Sequence, residues 1–169
     1  MGKPLPGTIA EACLRKRRIT APLIDASLRF HPRCYYRDDD GTHSRGWPAL
    51  LAAVTNADGA TTGVHRTWLN PAGGEAPVAT QRRALGSLLG NGVRFGRADD
   101  IVAIGEGLET ILSLRSVFPN LPMVAAFSAR HRPLALNMLD SQKPASGASR
   151  DGMHLLVMQA LCRDLGLSE

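Results

Sequence analysis

Cysteine is scarce in this chain and poorly placed for metal. Cys13, Cys34 and Cys162 are an odd number set far apart, and none belongs to a Cys-x-x-Cys or Cys/His cluster able to hold zinc. They read as reduced, half-buried residues of a cytoplasmic protein. Long apolar runs are also missing. No stretch approaches the ~20 residues that span a bilayer, and Met1-Gly2-Lys3-Pro4-Leu5-Pro6 lacks the apolar core of a signal peptide. The expectation is a cytoplasmic location and no membrane partner. Neither G-x-x-x-x-G-K-[ST] nor G-x-G-x-x-G occurs, so a P-loop and a dinucleotide fingerprint are excluded.

What is present is an ordinary globular composition with an arginine excess. At 169 residues and 44% hydrophobic content, the chain can build one sizeable core or two small lobes sharing one. The formal net charge of +5 comes from 20 Lys and Arg against 15 Asp and Glu, and the excess is nearly all arginine. The guanidinium fork offers bidentate hydrogen bonds to phosphate, so a nucleic-acid surface becomes a candidate.

In chain order, Thr8 with Glu11 forms a capping-box pattern that predicts a short helix to about Arg17. Its last turn, Arg15-Lys16-Arg17-Arg18, suits the helix macrodipole and is also a candidate phosphate patch. Leu28 to Pro32 and Cys34 to Arg37 read as short strand segments broken by proline, and Asp38-Asp39-Asp40-Gly41 as a solvated turn. A hairpin follows, Ala49 to Thr55 and Thr61 to Leu69 around Asn56-Ala57-Asp58-Gly59. Alternation puts Val64, Arg66 and Trp68 on one face of the return strand, and His65, Thr67 and Leu69 on the other. A lone histidine there reads as a surface or packing residue. Pro77 to Thr80 can start another strand. The glycine-punctuated passage from Gln81 to Arg97 holds Arg82, Arg83, Arg94 and Arg97, either as phosphate contacts or as two edge strands around Gly90-Asn91-Gly92.

Ile101 to Ile104 is a β-branched apolar run that enters a Gly105-Glu106-Gly107 corner. Leu108, Ile111 and Leu112 then follow at helical spacing, and the helix must stop before Pro119. This strand, turn and helix place Glu106 where open α/β sheets bind ligands, at the carboxyl end of a parallel strand. Leu121 to Ser128 reads as the next buried parallel strand, and a helix is expected from about His131 to Leu139. Ser141 to Ser149 has linker composition, and Met153 to Leu165 reads as an amphipathic helix ended by Gly166.

The segment Ile104-Gly105-Glu106-Gly107-Leu108-Glu109-Thr110 resembles the opening motif of Toprim domains. More closely, the chain resembles the Toprim-containing primase and primase-helicase family of phages, plasmids and integrative elements. Arg29-Phe30-His31-Pro32, Trp47-Pro48-Ala49-Leu50, Gly63-Val64-His65-Arg66-Thr67 and Leu85-Gly86 occur in that family's order, and the resemblance covers about residues 7 to 130. It implies that Glu106 acts as general acid/base or Mg²⁺ ligand, with an Asp-x-Asp pair on a later strand holding the metal. That pair is missing. After Glu109 the only acids are Asp140, Asp151, Asp164 and Glu169, and Mg²⁺ needs several hard oxygen ligands.

The expected fold is therefore α+β to α/β. A primase-like lobe with an N-terminal helix and a small mixed β structure spans 1–98, and a partial Toprim-like β-α-β-α unit spans 99–140. A linker over 141–152 and a C-terminal helix over 153–166 complete it. The Val124 strand is expected to keep an open edge, covered by that helix or by a second copy in a homodimer. The expected function is nucleic-acid or nucleoprotein-complex binding by a catalytically degenerate primase relative. Glu106 and Glu109 would be vestigial, and no cofactor would be needed. Arg82, Arg83, Arg94 and Arg97 form the expected phosphate set, with Arg15, Lys16, Arg17, Arg18 and Arg66 in support. The alternatives are an active Mg²⁺-dependent primase or nuclease with Glu106 as metal ligand, and a protein-binding inhibitor of a bacterial defence complex of the anti-CRISPR kind.

Overall fold

The computed structural model describes residues 2–39, 41, 44–97, 101–127 and, as backbone, 154–157. Helix α1, Ile9–Lys16, starts where the sequence places it. Thr8 is extended at φ −107° and its hydroxyl accepts the Glu11 N–H at 3.5 Å, while the Glu11 carboxylate accepts the Gly7 N–H at 2.8 Å. Beyond the helix end, the Arg15 guanidinium donates to the carbonyls of Ile19 (2.8 Å) and Ala21 (3.1 Å), which fixes the chain as it leaves α1. Ala10 and Leu14 face the core.

Strands β1 (Leu28–Arg37), β2 (Ser44–Thr55), β3 (Thr61–Trp68) and β4 (Arg82–Gly86) form an antiparallel meander in the order β1-β2-β3-β4. Leu28, Leu50, Ala52 and Val54 alternate onto the core face. The two short segments expected around Pro32 are one strand with a register shift between His31 and Cys34. Proline has no N–H for the ladder, and a bulge is one of the few places where a strand tolerates it. The far end of the β1–β2 hairpin then curls over the sheet. Tyr36 meets the Trp68 ring edge-on at 4.9 Å, and the Arg83 guanidinium donates to the Arg37 carbonyl at 2.8 Å, although β1 and β4 are opposite edges. Gly63 pairs with Gly86, and only glycine fits there. A Cβ on Gly86, whose φ is +99°, would lie 2.4 Å from the Thr62 carbonyl oxygen and 2.7 Å from the Gly63 Cα.

The second sheet has the order β5-β7-β6-β8, from Val93–Phe95, Met123–Ala125, Ile101–Gly105 and His154–Val157. The β6 and β7 strands are parallel and joined through helix α2, Leu108–Val117. Two expectations are corrected here. The edge of β7 is covered by β5, which pairs antiparallel with it through Arg94 and Val124. The segment 154–157 is a strand parallel to β6, where an amphipathic helix was expected. A short apolar run such as Leu155-Leu156-Val157 serves either element, and the parallel partner decides it. The rest of 153–166, the linker over 141–152 and the expected helix from His131 lie outside the described residues. Residues 77–80 are not strand.

Because β5 belongs to the second sheet, that sheet draws a strand from within the expected 1–98 lobe. Thr55 and Gly92 exchange backbone hydrogen bonds at 3.0 and 3.2 Å and tie the two sheets together. One hydrophobic cluster runs from Leu5, Leu14 and Leu28 through Val93 and Phe95 to Ala103, Ile111 and Met123. The architecture is mixed α+β around a shared core. Among the described residues no helix is long and apolar enough to cross a membrane.

Candidate nucleic-acid interface

The strand-to-helix corner forms as the sequence implies. Gly105 ends β6 and Gly107 is the N-cap of α2; a Cβ on Gly105 would stand 3.0 Å from the Ile111 side chain, so glycine lets the helix settle onto its strand. Glu106 is exposed at the turn. Glu109, in the first turn of α2, is held by arginines. Its Oε1 lies 3.1 Å from Arg82 Nη2 and 3.8 Å from Arg17 Nη1. Glu75 accepts from the same two guanidinium groups, at 2.8 Å each. Two cations and two anions thus close a ring that joins the C-cap of α1, the loop after β3, the start of β4 and α2. The side chains are 25 to 43% exposed, so each pair contributes only about 0 to 1 kcal/mol. Beneath the ring, Cys13, Leu14, Thr67 and Leu69 help line a space of about 10 Å³, enough for about one water and far too small for a nucleobase.

This arrangement leaves Glu109 little capacity for a metal, because a cation would have to compete with two guanidinium groups. Among the described residues no group of three His, Cys, Asp or Glu side chains converges. His65 is the packing residue its sequence context suggests. It stacks on Phe127 at 4.2 Å with the rings 2° from parallel, and its Nδ1 is buried with no partner. Burial pulls its pKa down to about 4 against the attraction of Glu109, with Arg82 and Arg66 adding to the fall.

The expected arginine set is not one patch. Adjacent positions on β4 send Arg82 to the Glu109 side and Arg83 to the other face, where it pairs with Asp39 at 2.8 Å and lies 4.8 Å over the Tyr36 ring. Arg94 is partly buried on the second sheet, its Nε and Nη2 without an acceptor, and burial lowers its pKa. Arg97 is exposed just past β5. Arg15 is occupied by Glu11 and by the backbone beyond α1, while Lys16 and Arg18 are exposed. The fold brings together two other groups. Arg17 meets Arg82 at the ion-pair ring. On the opposite face of the meander, Arg45 lies 4.7 Å over Trp47 and Arg66 lies 4.9 Å over Trp68.

Residues 1–95 match the family described as a domain of unknown function, DUF7146. The chain belongs to the DUF7146 family. No curated protein and no solved structure matches it. The DUF7146 segment includes α1, the whole meander and β5, and it ends before the Glu106 corner. Arg17, Glu75 and Arg82 are thus inside it and Glu109 is outside, so the ring couples the DUF7146 segment to the corner. Within that segment, Arg45 and the aromatic residues were not singled out by sequence reasoning. Alternation alone places Arg66 and Trp68 on one face and the β3–β4 register adds Arg83, but Tyr36 joins them through the bulge at Pro32.

Proposed function

We propose that this DUF7146 protein is a primase/Toprim-like protein of mobile-element origin that binds nucleic acid and does not itself catalyse phosphoryl transfer. The observation that carries this reading is the position of Glu109, clamped between Arg17 and Arg82. A catalytic corner would aim its carboxylates at a metal; here one of the two serves as counter-ion to a pair of phosphate-competent guanidinium groups. A polyanion competes naturally for those arginines, because phosphates can replace the carboxylates at similar geometry. Three features support the ancestry. The strand, Gly-Glu-Gly turn and helix are followed by a parallel strand. The segments around Phe30, Ala49 and Arg66 lie on neighbouring strands. Gly63 and Gly86 face each other where only glycine fits.

The test is a template, nucleotide triphosphates and the purified chain, with Mg²⁺ and then Mn²⁺, scored for both bound oligonucleotide and incorporated nucleotide. Binding without incorporation is expected, with Glu106→Gln indistinguishable from wild type. Metal-dependent incorporation that disappears in Glu106→Gln would overturn the non-catalytic half of the reading, and absence of binding would overturn the other.

A further inference from the structure

The meander has an unusual charge distribution. Its four strands contain Arg29, Arg45, Arg66 and Arg83 among their arginines and not one Asp or Glu. Register places Arg29, Leu51, Arg66 and Arg83 in one cross-strand row on the face turned away from the main core. The same face carries Tyr36, Trp47 and Trp68, each lying under a guanidinium at 4.7 to 4.9 Å. Tyr36 and Trp68 are buried, but Trp47 is partly open and Arg45 above it is exposed. Trp68 Nε1 and Arg66 Nε are buried, and Trp68 and Arg66 both offer hydrogen bonds to the Cys34 sulfur. Among the described residues Asp39 is the one acid paired with these arginines, and it sits on the exposed hairpin end beyond β1.

We infer that this arginine and aromatic face of the meander is a binding surface for single-stranded nucleic acid, with a base stacking at Trp47 and the phosphates tracked by Arg45, Arg66 and Arg83. The inference rests on the nucleic-acid reading above and adds to the Arg17–Arg82 ring a second contact surface and a strandedness. Duplex bases are already stacked on one another and present no ring face to Trp47, whereas an unpaired base does. The guanidinium groups now lying on the rings supply the cationic track; the strands themselves carry no acid, and a phosphate at Arg83 displaces the exposed Asp39 carboxylate. The stacked Arg45 is the group a base would displace, and its charge then remains beside the adjoining phosphate.

The chain has two tryptophans, and both are on this face, so its intrinsic emission reports on the surface directly. The experiment titrates a labelled oligothymidine of about 15 nucleotides into the full chain and follows label anisotropy and tryptophan emission together. Quenching that tracks the anisotropy curve is expected, with affinity falling about tenfold or more in Trp47→Ala. If Trp47→Ala does not fold, Arg45→Gln, an exposed change, is expected to weaken binding and to flatten the salt dependence by about 0.7 in slope. Binding by anisotropy with unchanged emission and unchanged affinity in these variants would overturn this surface while leaving the proposed function standing. Tighter binding of the matching duplex would overturn the strandedness, and no anisotropy change with any oligonucleotide would overturn both proposals.

Discussion

Replacing Glu109 by Gln separates a counter-ion from a metal ligand. The substitution keeps the shape of the side chain and removes the charge that Arg82 meets at 3.1 Å and Arg17 at 3.8 Å. The ring passes from two cations and two anions to one net positive charge. Stability should change little, because pairs with 25 to 43% of their side chains exposed are screened; a loss of about 1 kcal/mol is expected on chemical denaturation. Nucleic-acid binding should strengthen. One guanidinium released to phosphate adds about 0.7 to the magnitude of the salt slope on a single strand, and about 1 kcal/mol of interaction corresponds to an affinity gain of about fivefold at low salt. Anisotropy titrations of one oligonucleotide across a salt series, wild type beside variant, measure both. Weaker binding in Glu109→Gln, or a loss that appears only with Mg²⁺ present, would show that Glu109 serves the ligand or a metal and would refute the counter-ion argument.

Three other outcomes follow from the packing. Gly86→Ala should cost about 2 to 3 kcal/mol, since it combines a left-handed φ with a Cβ 2.4 Å from the Thr62 carbonyl oxygen. Gly59→Ala at φ +81°, with nothing within 4 Å, should cost only about 1 kcal/mol by the same denaturation assay. His65 is neutral in the native state with a pKa near 4, against an ordinary 6.5. The unfolded chain therefore takes up the proton first, and stability should be full above pH 6.5, fall by about 3 kcal/mol towards pH 4, and level off below it. His65→Phe, which preserves the stack on Phe127, should flatten that part of the pH profile; an unchanged profile would mean another group titrates.

Local signals carried much of the fold. The capping residues at Thr8 and Glu11, the Asn56 to Gly59 turn and the change of period at Gly105 are each decided within a few residues, and each appears where expected. Partnerships across the chain were not legible. Val93–Phe95 has the same local character whether it pairs with β4 or with β7, and Leu155-Leu156-Val157 suits a helix or a strand until β6 is beside it. The candidate site divides in the same way. Glu106 and Arg82 stand out in the sequence, but the partner of Glu109 is set by how α1 docks on β4. Arg45 follows the alternation of β2, whereas Tyr36 joins it on the second face only because the bulge at Pro32 resets the alternation of β1.

Oligonucleotide affinity as a function of salt, measured on the full chain with divalent metal chelated, tests nucleic-acid binding most directly. Three or four phosphate contacts on a single strand predict that log K falls against log salt with a slope of about −2 to −3. A flat line, or no binding at low salt, would contradict it.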